Sequence, residues 1–304
     1  MQIYVGITDK DWFELLKSEK CDEVNFWKPG TSNFKAIKQN DMFLFKLHAP
    51  DNYIVGGGFF VSFSILPTHL AWEAFGIKNG TRNLKELNDR IIKYRARNKI
   101  SGENPQIGCI ILTEPFFFER EEWIPAPEDW SSSIVQGKRY DTETFIGKKL
   151  YDDVLDRIGD KTVNAIDTSD ELPKYSESMT KHRLGQGAFR VSVTDAYHRR
   201  CAITGEKTLP VLQAAHIKPV SEKGPYKVSN GILLKSDFHT LYDEGYITIT
   251  TDYRIDVSKR LHEDYGNGKD YYKYHGQSIF LPDSMEKFPA KEYLEWHNEN
   301  IFVG

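Results

Sequence analysis

Cysteine is scarce in this chain: Cys21, Cys109 and Cys201 are the three present in 304 residues, far apart and in no CxxC pair. That argues against a disulfide framework and a four-cysteine zinc site. Long apolar runs are missing too, and with a mean hydropathy of −0.53 a membrane-spanning segment is excluded. The first residues, MQIYVGITDKDW, lack a basic stretch followed by an apolar one, so no signal peptide is expected and the expected location is the cytoplasm. Excess positive charge is absent as well. Lys and Arg number 40 against 44 Asp and Glu, a formal net charge of −4, which by itself gives no sign of nucleic acid. No internal repeat or low-complexity tract is visible. The hydrophobic share of 39% with 13% aromatics supports folded cores, and the length predicts two domains.

What is there is concentrated in residues 201–245, CAITG…AAHIKP…SNGILLKSDFHTLYDEG. His216 ends a short apolar run, Asn230 and Gly231 follow a turn-rich loop, and His239 and Asp243 lie four apart in a segment expected to be helical. The reading is strand, loop, strand, helix. Four-residue spacing puts an imidazole and a carboxylate on one helix face, where they could hold a divalent ion while His216 faces it. The local charge agrees with a phosphate-bearing substrate: residues 181–262 contain 13 Lys/Arg and 8 Asp/Glu, and affinity for DNA comes largely from such a basic surface. The same charges would also make an ordinary solvated surface.

This segment resembles an HNH nuclease of the ββα-metal type. His216, Asn230 and His239 occupy the three eponymous positions, and CAITG, AAHIKP and NGILL match the subgroup found in bacterial restriction endonucleases. The resemblance implies that His216 is the general base, that His239 and Asp243 hold Mg²⁺ or Mn²⁺, and that Asn230 ties the loop that aims His216. It also implies products with 5′-phosphate and 3′-hydroxyl ends. Many HNH sites carry Asp or His just before the base as a further metal ligand, but this chain has Ala215, so water, phosphate oxygens or another side chain such as Asp237 must complete the shell. Many also carry a zinc knuckle. Thr204 stands where a second cysteine would follow Cys201, so no structural zinc is expected and Cys201 reads as a buried apolar residue. Arg199 and Arg200 are candidates to clamp phosphate, although paired arginines near a helix end also serve as surface charge. His48, His69, His182, His198, His262, His275 and His297 show no ligand spacing and read as structural or surface residues.

The first half reads as a mixed α+β domain with a curved sheet. MFLFKL and YIVGGGFFVSFSI are strand-like runs joined by a polar HAPDN turn, and Gly56, Gly57 and Gly58 suggest a bulge or a close backbone approach. Leu84, Leu87, Ile91 and Tyr94 form one helical stripe, and IGCIIL is a further strand. The order NFWKPGTSNFKAIKQNDMFLFK, IVGGG, HLAWEAFG resembles the EVE branch of the PUA-like fold, whose members bind nucleic acids and in some cases an everted modified base. Taking a base out of the stack costs a few kcal/mol and calls for aromatic walls with polar groups at the base edge. Trp27, Phe34 and Trp72 are candidate walls, and Asn33 and Lys46 candidate polar contacts. Taken singly, each aromatic is as readily a core residue.

The expected architecture is therefore α+β: an EVE/PUA-like domain over residues 1–158, a polar linker over 159–180, and a ββα-metal (HNH) domain over 181–304. Phe189, Val193 and Tyr197 predict a helix at the start of the latter, and 245–257 a hairpin. An EVE–HNH fusion resembles a modification-dependent restriction endonuclease, which implies double-stranded DNA with 5-methyl- or 5-hydroxymethylcytosine as partner and allows a homodimer. Two alternatives stay open: an HNH nuclease whose first domain reads sequence or RNA, and a non-catalytic nucleic-acid-binding module.

Overall fold

The computed structural model describes residues 1–97, 106–164 and 184–304. They divide into two compact units, Met1–Ala188 and Phe189–Gly304, each with its own core. In the first unit the order is β1 (Gln2–Thr8), α1 (Lys10–Glu19), β2 (Glu23–Lys28), β3 (Met42–Leu47), β4 (Tyr53–Pro67), α2 (Thr68–Phe75), α3 (Leu84–Arg97), β5 (Gln106–Phe117), β6 (Ile124–Pro125), β7 (Gly137–Asp141) and α4 (Phe145–Asn164). The seven strands form one sheet ordered β2-β5-β4-β3-β1-β7, with β6 against β4. Strands β1 and β3 pair in parallel; the other described pairings of this sheet are antiparallel.

Both sheet faces are covered, which explains why β3 is apolar at every position but Lys46. Side chains alternate between faces with period two. Phe43, Phe45 and Leu47 join Trp12, Phe13 and Leu16 of α1 in one cluster, while Met42 and Leu44 join Leu150 and Val154 of α4 in another. The glycine run behaves as a bulge with close approach: the β3–β4 register shifts at Phe45/Lys46 and the β4–β5 register at Gly57/Phe59. A Cβ on Gly56 would sit 2.3 Å from the Phe116 carbonyl oxygen. The α3 stripe buries Leu87 and Ile91 completely.

Helix α4 runs to Asn164, so the first positions of the expected linker are helical. Its Gly159 costs a helix only about 1 kcal/mol, and no proline breaks the segment before residue 164. The remainder of the expected linker, residues 165–180, lies outside the described residues, as does His182. The two compact units divide between Ala188 and Phe189.

The second unit takes up α5 (Gln186–Ala196) from Phe189, then β8 (Leu212–His216), β9 (Gly231–Lys235), α6 (Ser236–Asp243), β10 (Ile247–Ile249), β11 (Ile255–Val257), α7 (Arg260–Tyr265), α8 (Lys269–Tyr272) and α9 (Lys291–Asn300). β8 and β9 pair antiparallel, His216 opposite Gly231, and β10 and β11 form the expected hairpin. Phe189 and Val193 of α5, with Tyr197 just beyond its end, pack with Leu212, Ile232, Leu234 and Phe238. Cys201 is fully buried, its Sγ accepting the Thr204 and Lys235 amides at 3.4 and 3.3 Å. Among the described residues no helix is long and apolar enough to cross a membrane.

Candidate functional site

Helix α6 sorts its residues onto two faces. Phe238 and Tyr242, four apart, are buried, and the next pair round the helix, His239 and Asp243, is thereby turned outward on a shared face. His239 Nε2 lies 3.2 Å from Asp243 Oδ2, and its Nδ1 lies 2.7 Å from Gln213 Oε1 on β8. Burial pushes the Asp243 carboxyl above its ordinary range; His239 opposes this and Glu244 adds to it.

His216 closes β8 with its ring clamped by two aromatics. Phe189 stacks on it at 4.0 Å and 12°, and Tyr226 meets it edge-on at 5.2 Å and 72°. Gly231 makes room for this arrangement, since a Cβ there would stand 2.5 Å from Val193 and 2.9 Å from the Phe189 ring. Burial, and then the nearby charge of His239, lower the His216 pKa to about 4, so the imidazole is neutral at pH 7. Its Nε2 is buried and has no hydrogen-bond partner among the described residues. An unpartnered basic nitrogen of this kind costs stability, and it is suited to accept a proton from water.

The loop from Ile217 to Asn230 is tied by one side chain. Asn230 is fully buried; its Oδ1 accepts the Lys218 amide at 2.9 Å, and its Nδ2 donates to the Lys218 and Pro225 carbonyls at 3.0 Å. Its own carbonyl accepts the Ile217 amide at 3.0 Å. Both ends of the loop are therefore held beside His216.

An imidazole nitrogen and a carboxylate oxygen on one helix face are donors that a divalent cation accepts, the carboxylate suiting Mg²⁺ or Mn²⁺ and the imidazole a more borderline ion. Among the described residues no cage of three or more His, Cys, Asp or Glu is gathered. Asp237 is engaged by Lys235 at 3.0 Å. Arg199 pairs with Asp195 at 3.4 Å and Arg200 stacks over Phe280 at 4.2 Å, so each already has a neighbour within the unit.

The first unit holds a cavity of about 510 Å³ lined by Tyr4, Phe26, Trp27, Phe34 and, on the polar side, Asp9 and Tyr94 among others. The Tyr94 hydroxyl donates to Asp9 at 2.7 Å, His48 faces the same carboxylate at 3.4 Å, and Trp27 anchors its Nε1 on the Asn79 carbonyl at 2.9 Å. Of the five base-pocket candidates, Trp27 and Phe34 line this cavity, whereas Asn33, Lys46 and Trp72 do not. The strand pleat explains Lys46. It follows Phe45 on β3 and so points to the opposite face, where it is 1% exposed. There its Nζ donates to Leu47 and Asn52 and lies over Trp130 at 4.9 Å. Asn33 is exposed, and Trp72 sits half-buried on α2. Sequence reading missed Asp9 and Tyr94, which are 85 positions apart, and set His48 aside as structural or surface. It missed Gln213 as well, which no motif marks.

Residues 201–250 match the sequence model of the family described as HNH endonuclease. The second unit carries an HNH endonuclease domain. No curated protein matches the chain. Remotely similar solved structures include two of different kinds. One is a mutant ZmASCH protein from Zymomonas mobilis, at 9% identity over 49% of this chain and 96% of that one, TM-score 0.34. The other is described as the modification-dependent TagI restriction endonuclease, at 14% identity over 93% of this chain and 76% of that one, TM-score 0.28. The HNH assignment rests on the match over residues 201–250, the segment that holds His216, Asn230, His239 and Asp243.

Proposed function

We propose that the chain is a modification-dependent DNA endonuclease of the restriction type, whose HNH domain hydrolyses phosphodiester bonds and whose first unit reads 5-methyl- or 5-hydroxymethylcytosine. The observation that carries the cutting half is His216: a neutral imidazole, clamped by Phe189 and Tyr226, with an unpartnered Nε2. That nitrogen takes a proton from water, the oxygen attacks phosphorus in line, the bond from phosphorus to the 3′ oxygen breaks, and that oxygen takes up a proton from solvent. The stacked Phe189 ring holds the imidazole plane, and Asn230 holds the loop behind it. His239 and Asp243 would hold Mg²⁺ or Mn²⁺, which when bound polarises the scissile phosphate and stabilises the leaving oxygen. The products carry 5′-phosphate and 3′-hydroxyl ends.

For the reading half, the aromatic cavity supports an everted base held between Trp27 and Phe34, with Asp9 and Tyr94 at its edge. Aromatic walls with a few convergent polar groups are what such a site requires. One HNH site cuts one strand, so a double-strand break takes a homodimer or two successive bindings.

The test uses the full chain on matched duplexes differing only in cytosine modification, with Mg²⁺ or Mn²⁺. The expected result is cleavage of the modified duplex alone, silenced by EDTA and by His216→Ala, with DNA binding retained in that variant. Equal cleavage of both duplexes would leave an HNH nuclease whose first unit reads sequence or RNA. A folded His216→Ala variant cutting at the unaltered rate would remove the catalytic assignment.

A further inference from the structure

The HNH resemblance leaves one position of the nuclease site open, because Ala215 precedes the base where many such sites carry a metal ligand. The structure supplies a different polar group to the metal face. Gln213, three residues before His216 on β8, places its Oε1 2.7 Å from His239 Nδ1. An amide oxygen only accepts hydrogen bonds, so the proton of a neutral His239 sits on Nδ1. Nε2 then presents its lone pair to Asp243 Oδ2, 3.2 Å away. Two acceptors facing each other at that distance need a cation between them. A proton can serve, and so can a divalent ion, since adjacent ligands in an octahedron with bonds of about 2.1 Å are about 3 Å apart. Were the proton on Nε2 instead, it would point at Asp243 and close the site.

We propose that Gln213 is the positioning residue of the metal site: by accepting the Nδ1 proton of His239 it selects the tautomer whose Nε2, together with Asp243, takes a divalent cation. Histidine ligands commonly donate their other N–H to a carboxylate or carbonyl, and removing that partner costs about 10–100-fold in metal affinity. Gln213 itself is exposed, so replacing it leaves the core of the unit intact. This inference rests on the metal-dependent reading above.

Mn²⁺ binding to the full chain, followed by the paramagnetic resonance of the free ion, tests it without using cleavage. Gln213→Leu removes the acceptor, and Gln213→Glu restores one on a side chain of the same length. His239→Ala marks the affinity that remains without the site. The expected order is wild type and Gln213→Glu close together, Gln213→Leu weaker by roughly ten to a hundredfold, and His239→Ala weaker still. Gln213→Leu binding Mn²⁺ as tightly as the wild type, while His239→Ala does not, overturns the role of Gln213 alone. Gln213→Glu binding as weakly as Gln213→Leu does the same, since an acceptor would then not be what matters. A wild type no tighter than His239→Ala removes the metal reading together with this inference.

Discussion

Asn230 illustrates how much one buried amide can organise. Its three side-chain hydrogen bonds reach Lys218 and Pro225, and an alanine there would leave two carbonyls and one amide of half-buried residues facing the fully buried position 230 unpaired. At about 1–3 kcal/mol for a buried polar group without a partner, Asn230→Ala should destabilise the second unit by roughly 2–4 kcal/mol, measured by denaturant unfolding. Cleavage should fall more than DNA binding does, because the loop adjoins His216. The residue types of this site were legible in the sequence because their spacing is local: 239 and 243 lie one helical turn apart, and 230 directly precedes a strand. What was not legible is where side chains from distant segments meet. Phe189 under His216, Gln213 on His239 and Tyr94 on Asp9 are contacts that no periodicity encodes. Lys46 erred in the other direction, a lysine assigned to a polar task that its strand parity turned into the opposite face.

Among the elements, α6 and the β8–β9 pair carry the residues of the proposed site, and their packing depends on the absence of a side chain at Gly231. The α5 residues Phe189 and Val193 fill the space where its Cβ would go, at 2.9 and 2.5 Å. Gly231→Ala should therefore cost roughly 1–3 kcal/mol as overpacking, and because Phe189 is also the platform for His216, turnover should drop while Mn²⁺ affinity at His239 and Asp243 stays close to the wild type. Unfolding, single-turnover cleavage and metal titration separate these effects; unchanged turnover in a destabilised variant would show that the Phe189 stack does not orient the base. The strands and helices that alternation and the 3.6-residue stripe predicted are present as β3, β4, α3 and the β10–β11 hairpin. The end of α4 was harder to read, because a glycine within a polar stretch resembles a loop signal while costing a packed helix little.

For the molecule as a whole, acid stability and the separation of reading from cutting are the two properties that the structure makes testable. His297 on α9 is 2% exposed, stacked on Tyr242 at 3.8 Å and bonded to Thr248 at 2.8 Å and to the Tyr242 carbonyl at 3.1 Å. Burial lowers its pKa from 6.5 to about 4. Above pH 6.5 it is neutral in both folded and unfolded chains. As the pH falls from there through about 4, the unfolded chain binds a proton that the folded one refuses, so stability is lost over that window by up to about 3 kcal/mol. His216 adds in the same direction. Denaturant midpoints between pH 7.5 and 4.5 should fall in the wild type, and fall less steeply in His297→Gln, which starts from a lower value. The reading half is tested by two tryptophans that composition alone could not tell apart. Trp27 lines the first-unit cavity and Trp72 does not. Stacking of a base on an aromatic ring is worth about 1–3 kcal/mol, so Trp27→Ala in the full chain should lower the preference for modified over unmodified duplex by roughly ten- to a hundredfold, while Trp72→Ala leaves it within about twofold. Both variants should still nick DNA when Mg²⁺ or Mn²⁺ is present, since the HNH domain meets mainly backbone phosphate. Competition binding on the two duplexes, with melting curves to confirm that each variant is folded, gives the answer. A folded Trp27→Ala protein that keeps its preference would move base recognition out of this cavity, and a wild type without any preference would remove the modification from the function altogether.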